Sequence, residues 1–212
     1  MDHPSNEAQR AMVRDGYDSI AEAYAGWNAA TGVKARYLHR VTDLVPAGGR
    51  ILDLGCGTGE RVTRHLVEQY RVMGVDISPH SIEVAKREVP GAVFLCADMT
   101  CLQVESGSFD AVVAFFSIIH VPKEEQPSIF SSIYRWLRPG GHAILTLDTS
   151  GVDLTDQFLG APMFWSSWDR PHYMALLTEA GFNLVSALDE TELEDDLSVT
   201  FLWVVLQRPL SL

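Results

Sequence analysis

Basic residues are scarce in this chain: 16 Lys and Arg stand against 28 Asp and Glu, a net charge of −12. That balance repels a phosphate backbone or an anionic bilayer, so no nucleic acid and no membrane is expected as partner. Long apolar runs are missing as well. None approaches the roughly 18 residues that would cross a bilayer, and no basic stretch followed by an apolar one opens the chain. A cytoplasmic protein is expected. Cysteine is limited to Cys56, Cys96 and Cys101, an odd number without metal-ligand spacing. No metal site follows from it, and buried, reduced thiols are the expectation. Internal repeats, low-complexity linkers and composition breaks are absent too, so 212 residues read as one domain with room for a substantial core.

What is present centres on glycine. Ile51, Leu52 and Leu54 make a short apolar run that stops at Gly55, Gly57 and Gly59, and residues 61–70 follow with apolar side chains at near-helical spacing. That pattern predicts strand, tight turn and helix. Glycine lets the backbone reverse and approach a ligand without a Cβ in the way, and a helix start offers free N–H groups to a negative ligand group. A third dinucleotide-type glycine would fall at position 60, where Glu60 stands, so NAD is disfavoured. The Gly-Lys-Ser/Thr ending of a P-loop is missing.

Asp76 ends the next predicted strand (71–75), 21 residues beyond Gly55. An acid at that distance is placed to accept hydrogen bonds from both hydroxyls of a ribose. A helix cap is the alternative, but Ser78 and Pro79 already supply a start signal for a helix over Pro79–Glu88. Asp98 follows a third strand (92–96), where a plain turn former would also fit. A fourth strand (109–116) is apolar throughout, as a central parallel strand should be. A helix over 123–137 and a strand over 142–149 come next.

Taken together, Asp53-Leu54-Gly55-Cys56-Gly57-Thr58-Gly59, Asp76, Asp98-Met99 and Leu137-Arg138-Pro139-Gly140-Gly141 resemble, in order, the signatures of class I S-adenosylmethionine-dependent methyltransferases of the small-molecule type. The resemblance covers about residues 17–207. It implies an α/β, Rossmann-like three-layer sandwich. Its seven-stranded sheet is mostly parallel, in the order 3-2-1-4-5-7-6, with the last strand antiparallel. It also implies S-adenosyl-L-methionine as cofactor, S-adenosyl-L-homocysteine as product, and a core over 45–212. Carried over residue by residue, the cofactor falls to Gly55, Cys56, Gly57, Gly59, Asp76, Ile77, Asp98, Met99 and Phe115. Helices over 8–14, 19–27 and 33–44 make residues 1–44 an N-terminal lid, in which Tyr17 and Tyr24 would cover the cofactor. Packing of those rings against the sheet is the alternative.

For the acceptor the residues point to Trp27, Phe116, His120, Phe164, Trp165 and Trp168. The last three lie in an aromatic stretch over 150–168 with no clear element, poised as a loop or filling a small core of its own. His120 is the candidate acid–base residue, since an imidazole with its ordinary pKa of about 6.5 accepts a proton near neutrality. The competing view leaves it bonded to backbone groups. A helix over 170–180 and two strands over 182–188 and 199–207 complete the chain. The acidic run between them, from Asp189 through Glu190, Glu192 and Glu194 to Asp195 and Asp196, reads as a solvated loop tip. The function expected is methyl transfer to a small O, N, S or C nucleophile, a natural-product precursor among the candidates, by a monomer or homodimer. The rivals are a non-methylating cyclase or rearrangement catalyst on the same scaffold and a noncatalytic binding module.

Overall fold

Ile51, Leu52 and Leu54 on one run and Val112, Val113 and Ala114 on another are covered on both faces, because they meet at the centre of one sheet. The computed structural model describes residues 5–26, 32–194 and 197–210. Trp27, Asp195 and Asp196 lie outside them. The helices are α1 (Asn6–Gly26), α2 (Gly32–Leu44), α3 (Thr63–Leu66), α4 (Pro79–Glu88), α5 (Gln126–Trp136) and α6 (Arg170–Glu179). The strands β1 (Arg50–Leu54), β2 (Arg71–Asp76), β3 (Val93–Cys96), β4 (Phe109–Ala114) and β5 (Leu137–Leu147) are parallel. A hairpin of β6 (Asp153–Phe158) and β7 (Ala161–Ser166) stands apart from them. β8 (Asn183–Glu194) and β9 (Leu197–Gln207) then complete the main sheet, in the order β3-β2-β1-β4-β5-β9-β8. β9 runs antiparallel to both of its neighbours. This is the seven-stranded order that the family resemblance implied.

Period-two alternation divides the strands' side chains between two helical layers. Leu52, Leu54, Val112, Ala114 and Leu145 share a cluster with Phe130, Ile133 and Trp136 of α5 and Leu177 of α6. Ile51, Ala111, Val113 and Ile144 join Tyr37, Leu38 and Val41 of α2 in another. Each fully buried Leu, Ile or Phe contributes roughly 1.5–3 kcal/mol, which makes this double-sided burial the main source of stability.

Several local expectations need correction. Residues 8–14 and 19–27 were expected as separate helices, yet α1 runs unbroken through Gly16. A Cβ on Gly16 would stand 2.9 Å from the Pro162 carbonyl oxygen and 3.0 Å from Met163 Cε, so the glycine permits close approach to β7 rather than a turn. The aromatic stretch is not a loop but the β6–β7 hairpin. Its two-residue turn uses Leu159 and Gly160, both at positive φ (49° and 85°), a turn type usually marked by Asn-Gly. Val13 and Ile20 of α1 pack on Ala161, Met163 and Phe164 of β7 as a satellite cluster outside the sheet's own core. The helix after the glycine turn is a single turn, beginning only at Thr63, so no helix terminus stands at the glycines. The acidic run is strand as far as Glu194. Of the thiols, only Cys56 is buried.

Candidate active site

The parallel strands end at one edge of the sheet, where β1 gives way to glycine. Gly55 N and Cys56 N donate to the Val75 carbonyl (2.7 and 3.1 Å), which folds the turn back on β2. Gly55 has φ +72°, and a Cβ there would stand 2.2 Å from Ser117 Cβ. Gly57, at φ +54°, has nothing within 4 Å of the place where a Cβ would stand. One glycine is thus held against protein, while the other faces a concave cradle beside the turn.

Asp76 closes that cradle. Its Oδ2 accepts from Gly57 N (2.8 Å) and its Oδ1 from Ser78 N (2.9 Å). Burial raises its carboxyl above the ordinary value, while the N–H groups of Ser78, Gly57 and Ile77 pull it back. Asp53, behind the turn, is buried and pushed up to about 7 by desolvation, against a hydrogen bond from Thr63 Oγ1 (2.6 Å).

Two adjoining cavities open here. The first, about 70 Å³, is lined by Gly55, Gly57, Asp76, Ile77, Asp98, Met99 and Phe115, with Arg10, Val13, Tyr17 and Tyr24 of α1 across it. The second, about 510 Å³, is lined by Phe158 and Trp165 of the hairpin, Val199 and Phe201 of β9, and Lys34, Arg61 and Glu192. Tyr17, Tyr24, Phe116 and His120 line both. Phe116 does so from a strained backbone, at φ +59°, of the kind that collects at functional sites.

Helix α1 is fastened over the first cavity by polar ties. Arg10 Nε pairs with Asp98 Oδ2 (3.0 Å) and Arg10 Nη1 with Glu125 Oε1 (2.7 Å). Asp18 Oδ1 accepts from Ser78 Oγ and from His80 N (3.1 Å). Arg61 donates to the Tyr24 carbonyl and lies 3.9 Å over the Tyr24 ring.

His120 departs from its expected state. It is buried, in a 3-10 turn over Ile118–His120. The Phe164 carbonyl can only accept, so Nδ1–H donates to it (2.7 Å), which leaves Nε2 to accept from the Tyr17 hydroxyl (2.9 Å). Desolvation lowers its pKa to about 4, with the Phe164 bond opposing. Burial also raises the Tyr17 phenol well above its ordinary value. The imidazole is therefore neutral at physiological pH and its free nitrogen is occupied; it is not a base poised near 6.5. Because its folded pKa lies below the unfolded one, its contribution to stability is full above about pH 6.5 and is lost as pH falls toward about 4. Accordingly, turnover between about pH 6 and 8 is expected to carry no inflection from His120. A rate profile bending near pH 6.5 in the parent but not in His120→Asn would contradict this.

Other expected positions separate. Phe164 buries its ring in the satellite cluster and reaches the site only through its carbonyl. Trp165 lies in the second cavity, 5.6 Å from the His120 ring. Trp168 lies away from both cavities, stacked on His172 (4.2 Å) with its Nε1 donating to the Lys123 carbonyl (3.0 Å). Cys56 turns its side chain into a cluster with Ile82, Ala85, Val89 and Phe94. A Cβ on Gly59 would stand 3.2 and 3.3 Å from Phe94 and Val89, so this glycine faces them instead of the first cavity. Asp98 reaches the first cavity, but Thr100 N and Oγ1 (both 2.8 Å) and Arg10 already engage its oxygens. Arg10, Asp18, Lys34, Arg61 and Glu192 were not anticipated. A heptad spacing of Arg10, Tyr17 and Tyr24 was the available signal for the first, since residues seven apart share a helix face.

Residues 51–141 match a family described as "Methyltransferase domain". Phosphoethanolamine N-methyltransferase 1 of Triticum aestivum is 27% identical over 155 residues, 69% of this chain and 30% of that protein. This chain therefore spans about a third of the length of such curated relatives. Methyltransferase GfsG of Streptomyces halstedii is 28% identical over 211 residues, covering 89% of this chain and 73% of the relative. Among solved structures, the Burkholderia thailandensis 1,6-didemethyltoxoflavin-N1-methyltransferase, bound to 1,6-didemethyltoxoflavin and S-adenosylhomocysteine, superposes with a TM-score of 0.74. It is 20% identical, over 99% of this chain and 93% of that one, a likeness of fold. The chain carries a methyltransferase domain of the class I, S-adenosylmethionine-dependent kind. The cradle at Gly57 and Asp76 has the chemistry to hold the S-adenosylmethionine that such domains use: a backbone turn open to a ligand and a carboxylate beside it.

Proposed function

We propose that this protein transfers a methyl group from S-adenosylmethionine to a small-molecule nucleophile held in the second cavity. The observation that carries this reading is the shared wall: Tyr17, Tyr24, Phe116 and His120 border both cavities, so a group held in one can meet a group held in the other. Bound at Gly57 and Asp76, the cofactor supplies a methyl already attached to a good leaving group. The chain's own work is positioning and exclusion of water. Holding two reactants in line is worth about 7–11 kcal/mol of barrier. The Tyr17, Tyr24 and Phe116 rings supply apolar contact; an aromatic face is worth roughly 0.5–2 kcal/mol to a nearby cation, and Arg61 and Lys34 already lie over Tyr24 and Phe116. His120 acts as a positioning residue, because its acceptor nitrogen fixes the Tyr17 hydroxyl at the junction.

A small acceptor agrees with the molecules named for two similar proteins, phosphoethanolamine and 1,6-didemethyltoxoflavin. It also agrees with the second cavity, whose 510 Å³ falls within the usual range for small-molecule sites. The test is incubation with methyl-labelled S-adenosylmethionine and a panel of amines, phenols, thiols and heteroaromatics, with calorimetry on S-adenosylhomocysteine and NAD alongside. Labelled product from one acceptor class, together with S-adenosylhomocysteine binding, is the expected result. NAD binding with no response to either sulfur compound would overturn it. Turnover of an acceptor with no label incorporated would instead favour a rearrangement catalyst.

A further inference from the structure

The second cavity is lined by a carboxylate, Glu192, one of whose oxygens receives no hydrogen bond from the described residues. Glu192 lies in β8 with only 5% of its surface exposed, and it lines the cavity. Its Oε1 has no hydrogen-bond partner among the described residues. A buried acceptor left this way costs about 1–3 kcal/mol, and more when charged, so it calls for a donor from elsewhere.

The other ionic groups around the cavity have bonds of their own. Asp148 accepts from Ser150 N (3.0 Å) and Ser150 Oγ (2.6 Å). Asp156 Oδ1 accepts from Gln157 N (2.7 Å). Arg61 lies over the Tyr24 ring and the Lys34 ammonium stands 5.2 Å from the Phe116 ring centroid. The same cavity is lined by four aromatic rings, Phe116, Phe158, Trp165 and Phe201.

We propose that Glu192 anchors the molecule bound in the second cavity and that this molecule is a flat, apolar-bodied amine whose N–H or ammonium group donates to the Glu192 carboxylate. The rings take the body. A nitrogen cation beside them gains from their faces as well as from the carboxylate. Three carboxylates, Glu192, Asp148 and Asp156, face two cations, Lys34 and Arg61, around this cavity, a balance that favours a cationic guest over an anionic one. The proposal rests on the methyl-transfer reading only for calling that guest the methyl acceptor.

Three probes sharing one naphthalene body decide it: naphthylethylamine, naphthylethanol and naphthylpropionate. Each is titrated by calorimetry into the full chain, with and without saturating S-adenosylhomocysteine, which keeps the amine out of the cofactor cavity. The amine is expected to bind roughly 10- to 100-fold more tightly than the carboxylate, the worth of one hydrogen bond to a charged group. In Glu192→Gln that preference is expected to shrink to within about 3-fold, with naphthylethanol little changed. Equal affinity for amine and carboxylate in the parent, or an undiminished preference in the variant, overturns the proposal. If Glu192→Gln does not fold, the parent's ranking of the three probes still decides. Failure of S-adenosylhomocysteine to bind the parent would count against the methyl-transfer reading alone, since the ranking is also measured without it.

Discussion

Asp76→Ala is expected to weaken S-adenosylhomocysteine binding by roughly 10²- to 10⁴-fold, the largest loss from any single acidic substitution. Two ribose hydroxyls donating to one carboxylate would be worth about 3–6 kcal/mol at 1.5–3 each, and about 1.4 kcal/mol makes a decade. The substitution also leaves Gly57 N and Ser78 N without their acceptor, so the cradle itself loosens. Asp76→Asn keeps the side chain's shape but removes its charge and one acceptor. The amide oxygen can accept from only one of the two sides, while the NH₂ faces the other backbone N–H donor to donor. A loss smaller than in Asp76→Ala is expected. Acidification should act in the same direction. Burial raises this carboxyl, so its protonation, and the loss of cofactor affinity with it, begins at higher pH than for an ordinary aspartate. Calorimetry on parent and variants across the acid range checks both points. Unchanged affinity in Asp76→Ala would reduce the residue to a brace for the glycine turn.

Gly57→Val and Gly55→Ala are expected to fail in different ways. At Gly57 the added side chain enters open space on the cavity side, so the fold survives with a strain of about 1–2 kcal/mol for a left-handed residue. Cofactor binding should fall at least about 100-fold, because the branched side chain occupies the cradle where the backbone would otherwise approach the ligand. At Gly55 even a methyl group collides with Ser117, whose Oγ also donates to the Leu54 carbonyl (2.7 Å). The damage there should appear first as a lower melting temperature. Thermal melts beside calorimetry separate the two outcomes. A Gly57→Val protein that binds S-adenosylhomocysteine like the parent would move the ligand away from this turn.

The sheet was readable from sequence wherever burial was double-sided or a turn was chemically explicit. Ile51, Val112 and Val113 could be little other than central strands, and the acid 21 residues beyond Gly55 was placed by spacing alone. The break expected between residues 14 and 19 is not there, because Gly16 sits inside α1 against the Pro162 oxygen and Met163, contacts that no local pattern contains. The hairpin was hidden by β6, a strand exposed almost along its length and so without alternation. Glu192 was lost in a run of carboxylates. On a strand, residues two apart share a face, so Glu190 and Glu192 both turn inward. Glu190 accepts from Arg36 (2.6 Å), and Tyr37, its phenol pushed up to about 12 chiefly by burial, donates to it (3.4 Å). His120 was found by position but not in its protonation state, which depends on burial and on two partners, 44 and 103 residues away, that no local pattern contains.

The two cavities draw on different parts of the chain. Most of the first is built by the ends of β1 to β4, inside the matched segment 51–141. The outer wall of the second comes from α1, the hairpin and β8–β9, which lie outside it, and two of those pieces are joined through a satellite cluster separate from the sheet's core. Phe158 of that wall packs on the satellite cluster alone, whereas Phe201 shares the core cluster of Ile51 and Val113, and Trp165 packs against both. A change confined to the satellite cluster therefore reshapes the second cavity while leaving the strand ends around Gly57 and Asp76 as they are.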